Sequence, residues 1–201
     1  MLVFAVGIVT LLAGTKGAQL GDIQLGTDPG QVQQLVGDTA VRNAAHRAIA
    51  VDYVFLAAYW AAFVSLSALL ARRGGPWIIV AVLAAVTATA TATLDIVENV
   101  RTTDVLALYG PGDRLAQTQL DALRHVSLLK WGAAATTVTL LAGVFAQRGK
   151  IAVIALLLLV VAGIGFAGLE WHGLIRIYEL SVGVLTIIIG SLLLARPDAV
   201  R

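Results

Sequence analysis

Asp95, Glu98 and Asn99 stand at i, i+3 and i+4 near the end of a run that is otherwise apolar from Trp77 onward. In a helix those spacings put all three side chains on one face. A carboxylate at the centre of a membrane helix costs about 2.5–3.5 kcal/mol, and less toward the ends, so three adjacent polar groups there need partners or a purpose. Two carboxylates at close range do not both ionise readily, which leaves one holding a proton to donate while the other accepts. The chemistry on offer is general acid/base catalysis in an apolar setting, with Asn99 orienting a substrate or stabilising developing charge.

Other polar groups fall at comparable depth on neighbouring apolar segments. Asp52, Tyr59 and Phe63 share a helical face at i, i+7 and i+11, a carboxylate above an aromatic wall. Lys130 and Trp131 lie about two turns inside Arg124. Lys130 is the group to hold the ionised member of the carboxylate pair, and Asp52 is a second acid or base. Glu170 and His172 interrupt the last apolar stretch, after which His172, Arg176, Glu179 and Gly183 again share one face. The catalytic set is therefore Asp95, Glu98, Asn99, Asp52 and Lys130. The substrate-binding set is Tyr59, Phe63, Trp131, Glu170, His172, Arg176 and Glu179. Arg101, Arg114, Arg124, His46 and His125 read as interfacial or solvated.

The elements that must position these residues are membrane spans. Of 201 residues, 59% are hydrophobic and 13% charged, with mean hydropathy +0.88, far from the roughly 25% charge of a soluble domain. The apolar runs predict an all-α integral membrane protein, a bundle of six transmembrane helices in one domain. The spans cover about 1–20, 48–71, 77–100, 125–146, 151–169 and 174–195, with extracytoplasmic loops at 21–47 and 102–124. Residues 1–14 lack a basic leader and a small-residue cleavage site, and so read as a retained first helix. Within 15–46, Asp28-Pro29 predicts the start of a short helix carrying Val32, Leu35 and Val36 and ending at Gly37. Asp38 or Thr39 then caps the next helix. Thr87, Thr89, Thr91 and Thr93 are expected to bond back to the carbonyls one turn earlier.

Six spans put both termini on one side, where Arg72, Arg73, Arg148, Lys150, Arg196 and Arg201 occupy short segments. That side reads as cytoplasmic, which places the chain in the cell membrane with its polar pocket at the outer ends of the helices. Cysteine is absent, which excludes disulfides, thiolate metal sites and cysteine nucleophiles. The formal charge of +2 is scattered, without the basic run of a nucleic-acid footprint. Gly163, Gly165 and Gly168 spell a dinucleotide fingerprint, but inside an apolar span, where small residues serve helix packing. No H-E-x-x-H, E-x-x-H or G-x-S-x-G pattern is present, so no metal, cofactor or serine nucleophile is expected.

The leading expectation is an intramembrane enzyme acting on a lipid, isoprenoid or other apolar substrate, with membrane lipids as its surroundings. In residue types the site resembles membrane sterol isomerases and membrane terpene cyclases, which also set carboxylates and amides in an apolar cavity. A second reading is a small-solute carrier or transporter binding subunit. In size and span number the chain resembles the membrane-embedded binding subunits of energy-coupling vitamin transporters. There the carboxylates would relay protons and Lys130, Arg176 or His172 would hold an anion. A third is a structural or assembly subunit with a buried ion-pair network.

Overall fold

The computed structural model describes residues 18–108, 110 and 112–142, and this part of the chain is all-helical. The expected spans over 1–20, 151–169 and 174–195, with Glu170, His172, Arg176 and Glu179, fall wholly or almost wholly outside the described residues. Two short helices, α1 (Ala18–Gln24) and α2 (Pro29–Gly37), precede three long ones, α3 (Thr39–Ala71), α4 (Pro76–Leu106) and α5 (Gln117–Ala142). At about 1.5 Å per residue, α3 and α4 are roughly 50 and 46 Å long. Both are long and apolar enough to cross a membrane.

The helix starts follow from local chemistry. Asp28 accepts from the Gly30 amide at 2.8 Å, and Pro29 supplies a preset φ at the first helical position of α2. Asp38 accepts from the Ala40 amide at 2.7 Å and caps α3. α3 and α4 are joined by a tight turn in which Gly74 (φ +73°) and Gly75 (φ +56°) occupy the left-handed region open to glycine. Gly21 sits inside α1, where the fully buried Ile23 anchors the helix. α4 and α5 also outrun their predicted spans. α4 continues to Leu106 and α5 begins at Gln117, so the connection between them is short.

The three long helices form an antiparallel set with α4 in the middle, packed extensively against both α3 and α5. Each buries one stripe that changes character twice along its length. On α4 the stripe runs Ala81, Ala84, Ala88, Thr91 and Ala92, then Asp95, Glu98, Asn99 and Thr102, then Val105 and Leu106. On α5 it runs Leu120 and Leu123, then Ser127 and Lys130, then Ala134, Ala135, Val138 and Leu141. On α3, Val41, Ala45 and Ile49 precede the partly buried Asp52, and Tyr59, Phe63, Leu66 and Leu70 follow it. The antiparallel arrangement sets the three polar segments level with each other.

Two apolar cores flank that polar layer. The larger joins Tyr59, Phe63 and Leu70 to the alanine seam of α4 and to Ala134, Ala135 and Val138 of α5. Small residues there let the backbones approach closely, the usual device where lipid removes the hydrophobic drive for association. The smaller core gathers Ile23, Val32 and Val36 from α1 and α2 over Ile49, Leu106, Leu115, Leu120 and Leu123. The segment preceding α3 is thus a cap over the end of the bundle. Gln33 ties it down, donating to the Leu108 carbonyl at 2.6 Å and accepting from the Leu115 amide at 2.8 Å.

The exposed faces are opposite in character. Ile78, Ile79, Val82, Leu83, Val86, Val97 and Val100 of α4 lie exposed while Asp95, Glu98 and Asn99 are buried. This distribution is costly in water and suits a hydrocarbon medium. Thr87, Thr89, Thr91 and Thr93 of α4 each donate to the carbonyl four residues earlier, at 2.9–3.0 Å, which places the hydroxyl hydrogen within the helix.

Candidate functional site

The layer is organised by Lys130. Its ammonium donates to Asp95 Oδ1 at 3.0 Å and to Glu98 Oε2, and it lies 4.6 Å from the centre of the Trp131 ring. Asp95 and Glu98, one helical turn apart on α4, present one carboxylate oxygen each to the same nitrogen. Their remaining oxygens are also taken. Tyr59 donates its phenol hydrogen to Asp95 Oδ2 at 2.9 Å, and Ser127 donates to Glu98 Oε1. A buried ion pair survives only when such additional bonds satisfy the remaining lone pairs.

Asp52 stands apart from this ion-pair group. Asn99 Nδ2 donates to Asp52 Oδ2 at 2.7 Å, the one hydrogen bond Asp52 receives among the described residues. Asn99 has no exposed surface, and its Oδ1 is a buried acceptor without a partner among the described residues. Asp52 is partly buried and Asn99 wholly so, which puts Asp52 at the edge of the layer and Asn99 behind it. Phe55, Tyr59 and Phe63 line up along the same helix, with ring centres 5.5 and 5.8 Å apart.

Among the described residues, three carboxylates (Asp52, Asp95 and Glu98) and one ammonium (Lys130) share one layer flanked by apolar cores. An uncompensated charge so placed takes up a proton or attracts a cation. Arg101 and Arg114 are exposed and contribute no ion pair to the layer. His46 and His125 are exposed as well.

All five residues of the expected catalytic set therefore meet in one place. Tyr59 joins them through its hydroxyl, Phe63 packs against Tyr59, and Trp131 takes the face of Lys130. Ser127 was not singled out from the sequence, although it stands at i−3 from Lys130 on the same helical face, which was signal enough. Thr102 and Gln24 were also missed. Thr102 donates to the Glu98 carbonyl at 2.7 Å, and Gln24 of α1 donates to Thr102 at 3.4 Å, linking the cap to the layer. The Gln24 contact depends on how α1 folds back, and no local pattern records it.

The chain matches no protein-family model, no curated protein and no solved structure.

Proposed function

We propose that the chain is a multi-span enzyme of the cell membrane that acts on a lipid, isoprenoid or other apolar substrate by carboxylate acid/base chemistry. The observation that carries this reading is the excess of carboxylate over ammonium, among the described residues, in a buried layer between two apolar cores. Lys130 holds Asp95 and Glu98 in place as acceptors. Asp52, the edge carboxylate with no ion pair among the described residues, is the group that exchanges a proton with substrate. Asn99 orients Asp52 and offers its free carbonyl to the reacting molecule. Tyr59, Phe63 and Phe55 border the apolar part.

The six-helix bundle, with both termini cytoplasmic and the layer at the outer ends of the helices, belongs to the same proposal. Asp95 lies 19 residues after Pro76, or roughly 28 Å along α4 at about 1.5 Å per residue. That is close to one hydrocarbon thickness of about 30 Å from the Arg72-Arg73 turn. A carrier needs polar groups along a path, whereas the buried stripe of α4 below Asp95 is alanine and threonine whose hydroxyls bond their own helix. The test is to incubate purified protein with a total lipid extract from its host membrane and compare product masses for wild type and Asp52→Asn. A lipid species converted by wild type and untouched by the variant supports the enzyme. Identical lipid profiles for both, with both proteins folded, remove it.

A further inference from the structure

The unfilled groups of the layer define what kind of molecule it accepts. Lys130 has no donor to spare: two of its hydrogens serve Asp95 and Glu98, and its remaining side lies over the Trp131 ring. Among the described residues, an anionic ligand therefore finds no free cation within the layer. What is left over is acceptor capacity. Among the same residues, Asn99 Oδ1 is fully buried without a donor, and Asp52 beside it receives a single hydrogen bond. Leaving a buried acceptor empty costs about 1–3 kcal/mol, so the arrangement fits an incoming donor. The excess of carboxylate over ammonium there favours a positive donor.

The apolar half of the ligand is specified by position. Phe55 stands one turn after Asp52 on α3, and the contacts Phe55–Tyr59 and Tyr59–Phe63 carry an aromatic file from the carboxylate into the larger core. The faces of such rings also favour a cation. No three His, Asp or Glu side chains among the described residues are placed as ligands for a metal ion. An organic cation satisfies both halves.

We propose that the layer binds an amphiphile with a protonated amine on an apolar body, the ammonium donating to Asn99 Oδ1 and Asp52 and the apolar part lying along Phe55, Tyr59 and Phe63. This rests on the enzyme reading only for the location of the site and names the substrate class that reading leaves open. The experiment uses the full chain in lipid nanodiscs, with n-octylamine, n-octanol and methylamine as probes, read by thermal shift and by native mass spectrometry. The expected result is octylamine binding at least about ten-fold tighter than octanol or methylamine, and about ten-fold weakening in Asp52→Asn and in Asn99→Leu. The comparison among probes on wild type decides the matter even if a variant fails to fold. Octanol binding as tightly as octylamine, methylamine matching it, or displacement of octylamine by sodium at equal concentration would each overturn the proposal. The two readings fail separately. If octylamine binds as described but no lipid is converted, the enzyme falls and the ligand class stands; conversion without amine preference gives the reverse.

Discussion

Lys130 holds two carboxylates at once, and that fact sorts the residues of the layer by what their removal does. Lys130→Met leaves Asp95 and Glu98 facing each other in a buried site, so the protein should lose about 3–5 kcal/mol of stability in chemical denaturation. Adding Asp95→Asn and Glu98→Gln to that variant should restore most of the loss, since neutral amides carry no unpaired charge. A triple variant as unstable as Lys130→Met would show that the ion pair is not what the ammonium provides. Asp52→Asn should behave differently. Its carboxyl sits at the edge with one hydrogen bond, so the variant should unfold within about 1 kcal/mol of wild type while losing ligand binding. The spacing of Asp95, Glu98 and Asn99 made this site legible in the sequence, because polar groups of that kind are expensive in an apolar helix. That Lys130 reaches both carboxylates, and that Asn99 turns instead to Asp52, depends on the register between helices, which spacing along one helix does not contain.

Among the elements, the cap formed by α1 and α2 rests on few groups. Gln33 spans from α2 to both sides of the 108–115 connection. Gln33→Ala should leave global stability within about 2 kcal/mol of wild type yet accelerate hydrogen exchange at the Leu115 amide, whose acceptor it removes. Unchanged exchange there would mean the cap is held by its apolar contacts instead. Gly26 sits where an added Cβ would meet Val32 at 2.5 Å and the Asp22 carbonyl at 2.8 Å. Gly26→Ala should therefore push α1 off α2 and lower the melting temperature, whereas Gly21→Ala, with nothing within 4 Å, should leave it unchanged or raised. The starts of α2 and α3 were readable from Asp28-Pro29 and Asp38, since caps are local chemistry. The cap's seat on α4 and α5 was not, because Ile23, Val32 and Val36 meet Leu106, Leu120 and Leu123 across seventy or more residues of chain.

For the molecule as a whole, the exposed isoleucines and valines of α4 and the buried carboxylates behind them suit a lipid surrounding. Composition predicts apolar helices of spanning length, and α3 and α4 have that length and apolarity. The orientation proposed for the chain is open to a clean test because the sequence has no cysteine. Gln31→Cys, exposed on the cap, should react with a membrane-impermeant maleimide on intact cells. Arg72→Cys, exposed at the α3–α4 turn, should react only after the membrane is permeabilised. The opposite pattern would invert the topology and move the polar layer to the inner face.

The most direct test of whether the layer is a ligand site is native mass spectrometry of the gently solubilised protein, wild type beside Asp52→Asn. A defined adduct on wild type, lost in a variant that remains folded, is the predicted result, and its mass identifies the ligand. A wild type free of any adduct, with Asp52→Asn much less stable than the parent, would contradict the account and make the layer an ion-pair network that serves only to hold the helices together.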